Sequence, residues 1–326
     1  MLGTSKKSLE EFEFIHWIQQ QAGSGDHLSL GIGDDCSIQP QQTNQDLLTS
    51  TDLLIEDIHF KREWSSMFDL GRKSAAVNIS DIAAMGGTPQ SLFLGIGRPK
   101  TISDAQIQEF LSGFLAEIKT YGATLAGGDS CSSPGPLMIS VTVQGKVVTG
   151  DAICRQGASY GDAIYVSGSL GDSALALQQL QNGQQPDPFL SKRFHTPTPQ
   201  IALGQELSKR QLATAMLDIS DGLLADLGHI LDASAVGAEI NIADIPLSKS
   251  FQQALDGDLT LIDLALSGGE DYELVFTSPL KDLDRQINLQ HPVTRIGSIS
   301  QDSGLCLRQN NGELYHCQQG GFDHFS

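Results

Sequence analysis

The side chains best placed to do chemistry are carboxylates set in short glycine- and serine-rich turns. They occur as Gly-Ile-Gly-Asp-Asp (31–35), Ser-Thr-Asp (50–52), Asn-Ile-Ser-Asp (78–81), Gly-Gly-Asp-Ser (127–130), Asp-Ile-Ser-Asp-Gly (218–222) and Ser-Gly-Gly-Glu-Asp (267–271). Most adjoin apolar runs of strand or helix character, where loops that carry function tend to sit. Two carboxylates brought within about 4 Å repel by roughly 4 kcal/mol at an effective dielectric of about 20. Acids from distant segments that meet in one pocket therefore call for cations. Hard oxygen donors select magnesium, and magnesium commonly brings substrate phosphates with it. The pattern points to nucleotide chemistry.

Three of these turns carry more than an acid. In residues 71–85, Ser74, Asn78 and Asp81 recur at spacings of four and three and share one helical face. Ala75, Ala76, Ile79, Ile82 and Ala83 cover most of the remaining girth, which predicts a buried helix whose polar stripe faces a cavity. The bland alternative is a narrow solvent-facing stripe. Asp218 and Ser220 alternate on a strand, with Asp221 where a helix begins; capping alone would explain Ser220 or Asp221 but not Asp218. Gly127-Gly128-Asp129 suits backbone approach to a phosphate beside a metal-holding acid, and equally a plain tight turn. Gly168–Gly171 is a weaker candidate of the same type. Arg155 could neutralise a phosphate or simply lie on the surface.

The remaining composition narrows the field. The chain has 326 residues, 40% hydrophobic and 18% charged, with a formal net charge of −19. That balance argues against a nucleic-acid partner, since backbone phosphates are bound by Lys and Arg. Five widely spaced cysteines without zinc spacing suggest reduced thiols in a cytoplasmic protein. No stretch approaches the roughly 20 apolar residues of a membrane span, and no apolar signal core follows Met1. Gly-x-x-x-x-Gly-Lys-Ser/Thr, Gly-x-Gly-x-x-Gly, Gly-x-Ser-x-Gly and the protein-kinase signature set are absent. Nucleotide chemistry here must run on carboxylates and magnesium.

The elements that must position these turns form two halves. Helices are expected over 8–22, 71–85 and 103–120, and strands over 47–60, 91–96 and 137–148. The pattern weakens around 149–161, which places a boundary near residue 150. Beyond it come a strand (163–167), a helix (172–181), a loop (184–188), a helix (203–211) and a strand (214–219). A helix over 221–233 and strands over 239–242 and 272–277 follow. Strands and helices mix without strict alternation, so the expected fold is mixed α/β (α+β), with domains at 1–150 and 151–326.

Taken in order, the motifs resemble the thiamine-monophosphate kinase family of the aminoimidazole-ribonucleotide-synthetase superfamily. The likeness rests on Gly-Ile-Gly-Asp-Asp-Cys, Ser-Thr-Asp-Leu-Leu-Ile-Glu-Asp-Ile-His-Phe, Asn-Ile-Ser-Asp-Ile-Ala-Ala-Met-Gly-Gly-Thr-Pro, Ala-Gly-Gly-Asp, Leu-Asp-Ile-Ser-Asp-Gly-Leu and Ser-Gly-Gly-Glu-Asp-Tyr-Glu-Leu. It implies an N-terminal α/β domain that dimerises through its sheet and a C-terminal α/β domain beside it. It also implies ATP- and magnesium-dependent phosphorylation of thiamine monophosphate to thiamine diphosphate. By the same resemblance, Asp34, Ser50, Thr51, Asp52, Asp81, Asp129, Asp218 and Asp221 hold several magnesium ions, with Asp52, Asp81, Asp129 and Asp218 central to catalysis. Tyr121, Gly128, Asp129, Arg155 and Ser220 meet ATP, while His59, Glu270 and Phe322 hold the thiamine moiety. The residues alone leave His59 open as a structural histidine and Glu270 as a surface acid. Rival functions are another ATP-using enzyme of the superfamily, or an acidic metal- or nucleotide-binding protein without turnover.

Overall fold

The computed structural model describes residues 11–22, 39, 43–283 and 292–317. The chain divides into two units, one of residues 1–78 and 89–146, the other of residues 79–88 and 147–326.

The first unit is built on a four-stranded sheet in the order β1-β4-β2-β3: β1 (Gln45–Ile55), β2 (Thr88–Pro99), β3 (Thr124–Ser133) and β4 (Met138–Val148). In β4, Ile139, Val141, Val143 and Val147 alternate inward, the two-residue period of a sheet with one covered face. Helix α1 (Glu11–Ala22) packs against α3 (Asp104–Thr120), and α2 (Met67–Ala84) begins in this unit. A capping box starts α3: Gln106 N donates to Ser103 Oγ at 3.3 Å and Ser103 N to Gln106 Oε1 at 3.0 Å. Two glycines let α2 and α3 approach closely. A Cβ on Gly71 would stand 2.0 Å from the Phe110 carbonyl oxygen, and one on Gly113 1.9 Å from that of Phe68.

The Gly127-Gly128-Asp129 triplet, expected in a turn, lies within β3, which pairs in parallel with β2. The register shifts between Leu92 and Phe93, and a Cβ on Gly128 would sit 2.1 Å from the Leu94 carbonyl oxygen. The second glycine is there because two backbones press together.

The second unit carries a six-stranded sheet in the order β10-β7-β9-β5-β8-β6. Its strands are β5 (Ala163–Ser167), β6 (Ala215–Asp218), β7 (Gly237–Asn241), β8 (Leu274–Ser278), β9 (Val293–Ser300) and β10 (Gly304–Arg308). Pairing is antiparallel except between β10 and β7. Every residue of β5, β6 and β8 is buried. The helices are α4 (Asp172–Gln181), α5 (Pro188–His195), α6 (Ile201–Lys209), α7 (Leu223–Ser234), α8 (Lys249–Leu255) and α9 (Ile262–Ser267). Tyr165 and Phe276 stack with centroids 5.4 Å apart in a core that also takes in Ile153, Leu203, Leu207 and Met216. The Tyr165 hydroxyl donates to Leu280 O at 2.8 Å, so the buried phenol is satisfied.

Ala83 and Ala84, from the end of α2, belong to that same core. A Cβ on Gly204 of α6 would lie 2.1 Å from the Ala83 carbonyl oxygen. Packing thus groups 79–88 with the second unit, although sequence order sets it in the first half. Among the described residues no helix is long and apolar enough to cross a membrane.

Candidate active site

In the first unit the candidate side chains sit on β1, β3 and the segments beside them. Strand alternation turns Ser50 and Asp52 to one face of β1 and Thr51 to the other. Thr51 Oγ1 donates to Val141 O at 3.0 Å and lies 2.9 Å from Thr142 Oγ1, so this hydroxyl serves the β1–β4 contact. Asp52 is half-buried, and Asp129 is exposed on β3, its Oδ1 accepting from Ser130 N at 2.9 Å. His59 Nδ1 accepts the Ile55 N–H at 3.0 Å, which leaves the proton on Nε2. Tyr121 ends α3 beside the Arg72–Glu117 ion pair (2.7 Å). Burial, reinforced by the Glu117 charge, pushes the Tyr121 phenol well above its usual range and keeps it a hydrogen-bond donor.

Helix α2 buries two of the three residues of its polar stripe and leaves Asp81 half-buried. Ser74 and Asn78 are fully buried, which rules out the solvent-facing alternative for these two. Their donors turn back on the helix: Ser74 Oγ to Leu70 O at 2.7 Å and Asn78 Nδ2 to Ser74 O at 3.0 Å. Asn78 Oδ1 is buried with no hydrogen-bond partner among the described residues.

In the second unit the last turn of α2 meets β6. Ser80 Oγ donates to Asp218 Oδ2 at 2.6 Å. Burial first, then the neighbouring Asp81 charge, raises the Asp218 pKa above the usual carboxylate range, with the Ser80 bond opposing. Two acids so placed do not both ionise readily without a cation.

Neither Ser220 nor Asp221 caps a helix. The N-cap of α7 is Gly222, at φ 113°, with no side-chain cap bond. The turn is held from inside by Asp226, whose Oδ2 accepts from Ser220 N (2.9 Å), Asp221 N (3.0 Å) and Gly222 N (3.1 Å). Burial raises this carboxyl to about 7 against the opposing effect of the three N–H groups. Sequence reading did not single out Ser80 or Asp226. The signal for Asp226 was an acid within the apolar stripe Leu223, Leu227, Ile230, Leu231.

Two acid turns are sewn together by main-chain bonds. Glu270 N donates to Ser220 O and Tyr272 N to Ile219 O, each at 2.8 Å, while Ile219 N donates to Glu273 O at 2.7 Å. Glycine permits this approach: a Cβ on Gly269 would lie 2.4 Å from Ser220 O, and one on Gly222 2.5 Å from Ser267 O. Glu270 and Tyr272 take left-handed backbone (φ 66° and 51°), costing roughly 1–3 kcal/mol each. Arg155 is exposed; its carbonyl accepts from Ser234 Oγ at 3.4 Å. The Gly168–Gly171 turn is filled by protein carboxyl groups, with Gly171 N donating to Asp271 Oδ2 at 2.7 Å and Asp172 opening α4. Asp34 and Phe322 lie outside the described residues.

The donor set fits magnesium. Asp218 and the neighbouring Asp81 are oxygen donors at the end of β6, with Asp221 three residues further along the chain, and the Asp218 carboxyl is destabilised as a bare anion. Among the described residues no three His, Cys, Asp or Glu side chains form a ready-made metal cluster. Magnesium does not require one, because it is typically held by one or two carboxylates together with water and substrate phosphates.

Two family models match the chain: AIR synthase related protein, N-terminal domain, over residues 33–147, and AIR synthase related protein, C-terminal domain, over 159–305. A thiamine-monophosphate kinase from Haemophilus influenzae is 39% identical over 330 residues, covering 98% of each chain. The crystal structure of thiamine-monophosphate kinase from Stenotrophomonas maltophilia has a TM-score of 0.83 and 38% identity, covering 95% of this chain and 99% of that one. AaThiL complexed with AMPPCP and TMP has a TM-score of 0.78 and 31% identity, covering 99% and 100%.

Proposed function

The chain belongs to the thiamine-monophosphate kinase family, and on that premise we propose that it transfers the γ-phosphoryl group of ATP directly to thiamine monophosphate, forming thiamine diphosphate. The observation that carries this reading is the seam between the 218–222 turn and the 268–272 loop. It sets an acid suited to a cationic thiazolium, Glu270, beside residues suited to metal and nucleotide, Ser220 and Asp221. A relative of the same family is complexed with AMPPCP and TMP, an ATP analogue and the phosphate acceptor.

The acceptor is a phosphate monoester with a second pKa near 6, so at neutral pH it is mostly dianionic and is already a nucleophile. No side chain has to remove a proton from it, and the chain offers many acids without an evident base. The obstacle is repulsion between two phosphate groups; magnesium, when bound, neutralises that charge and favours in-line approach. In this reading the residues that would hold magnesium are Asp34, Ser50, Thr51, Asp52, Asp81, Asp129, Asp218 and Asp221. Thr51 has its hydroxyl engaged with β4, which makes its main-chain oxygen the candidate donor.

On the nucleotide side, Tyr121 presents a protonated phenol, Gly128 a backbone without a side chain, and Arg155 a solvent-facing guanidinium, joined by Asp129 and Ser220. In this reading His59, through Nε2–H, together with Glu270 and Phe322, holds the thiamine moiety. The reading includes a cytoplasmic homodimer joined through the first sheet. Leu47 and Leu53, both nearly half exposed, lie on the outer face of edge strand β1. The outcome expected for that assembly is a light-scattering mass of twice the monomer.

The deciding experiment incubates the protein with ATP, Mg2+ and thiamine monophosphate and follows thiamine diphosphate by chromatography. Its formation, with no phosphoenzyme trapped on acid quench, supports direct transfer. No product from this or related phosphate acceptors, with ATP still bound, favours a binding protein instead.

A further inference from the structure

The loop that presents Glu270 rests on a buried cation that phosphoryl transfer does not use. Arg193 of α5 is 13% exposed in its side chain and pairs with two almost fully buried carboxyl groups, Asp172 and Glu273, while the buried carboxyl of Asp271 adds its charge nearby. Its Nη1 stands 2.9 Å from Glu273 Oε1, and Nε is 3.9 Å from Asp172 Oδ2. Nη2 donates to the carbonyl oxygens of Ser169 at 3.2 Å and Asp271 at 3.1 Å. One guanidinium thus grips α5, the turn before α4 and the 268–273 loop.

Each contact is itself braced. Ser167 Oγ donates to Glu273 Oε2 at 2.5 Å and accepts from Leu274 N at 2.9 Å, while Asp271 Oδ2 accepts from Gly171 N at 2.7 Å. Between these anchors, Glu270 and Tyr272 occupy left-handed backbone on either side of Asp271. Residues other than glycine stay there only where their surroundings over-determine the conformation. The planar fork of arginine, which can serve a carboxylate and two carbonyls at once, does that here.

We propose that Arg193 is a positioning residue for Glu270, fixing the 268–273 loop so that the Glu270 carboxylate stays at the Ser220 turn to receive the thiamine end of the substrate. The inference rests on the role given to Glu270 above. It adds a residue that touches neither substrate nor nucleotide yet sets affinity for one of them.

Arg193→Lys keeps the charge but cannot reproduce the fork. In the variant the KM for thiamine monophosphate rises about tenfold, while kcat and the KM for ATP stay within about twofold. A purely structural role would lower the active fraction, and hence kcat, leaving both KM values in place. Glu270→Gln supplies the second arm. Alone it raises the same KM, and combined with Arg193→Lys it adds little, because both act through one carboxylate. Should Arg193→Lys fail to fold, Glu273→Gln serves instead, since it removes a buried negative charge while loosening the grip; its KM for thiamine monophosphate rises about threefold.

If Glu270→Gln raises that KM but the folded Arg193 or Glu273 variant leaves it unchanged, or if the two effects multiply, the positioning role is overturned and the substrate site stands. If Glu270→Gln leaves the KM unchanged, Glu270 is not at the substrate and both readings fall.

Discussion

Replacing Asp271 by Asn tests how much the buried acid cluster costs the fold. The carboxyl is 1% exposed and shares its surroundings with Asp172 and Glu273. Burial lifts its pKa from 3.8 to about 7, even though Arg193 and the Gly171 N–H pull it down. In the folded chain Asp271 therefore keeps its proton to about pH 7, whereas in the unfolded chain it loses it near 3.8. Between those values the unfolded state binds fewer protons, so stability falls as pH rises and levels off above the folded pKa. At about 1.36 kcal/mol per pKa unit, the fall is about 4 kcal/mol. Asn does not titrate, and its carbonyl oxygen can still accept from Gly171 N. The variant should therefore gain about 4 kcal/mol on the wild type between pH 4 and pH 8. Urea unfolding of both proteins at unit pH intervals, without metal or nucleotide, gives the difference directly. Two stability curves that run parallel across that range would refute the argument, because Asp271 would then titrate alike in both states.

Three further outcomes follow from the geometry. Asp81→Asn relieves the repulsion at Asp218 and so leaves the protein no less stable, while lowering kcat by at least about 100-fold; steady-state assays and urea unfolding report the two effects separately. Gly128→Ala forces a methyl group to within 2.1 Å of the Leu94 carbonyl oxygen, and the cost of parting β2 from β3 is about 1–3 kcal/mol in the unfolding free energy. Thr51→Val loses the bonds to Val141 O and Thr142, lowering stability by about 1 kcal/mol while kcat is retained.

How far the sequence could be read depended on which signals were local. The alternating valines of β4 announce themselves within a few residues, as do the 103–120 helix, the 163–167 strand and the 172–181 helix. Strand β3 does not. Its Gly-Gly-Asp-Ser run has the composition of a turn, and it is extended because β2 lies against it. The short α9, and strands β9 and β10, likewise depend on neighbours far along the chain. Within the site, the acid turns stood out by composition. Their bracing did not: Asp226 is hidden in an apolar stripe, and Arg193 acquires its partners only when α5, β8 and the turn before α4 come together.

The assignment of residues 79–88 to the second unit has a practical corollary for anyone dissecting this molecule. A fragment starting at Val147 would include the six-stranded sheet yet lack Ala83 and Ala84, two members of its core. It would also lose the Ser80 hydroxyl that bonds Asp218. Severing the gene at its visible midpoint would therefore yield a C-terminal half with an open groove along α6. Supplying a peptide spanning 79–88 in trans is the natural way to close it.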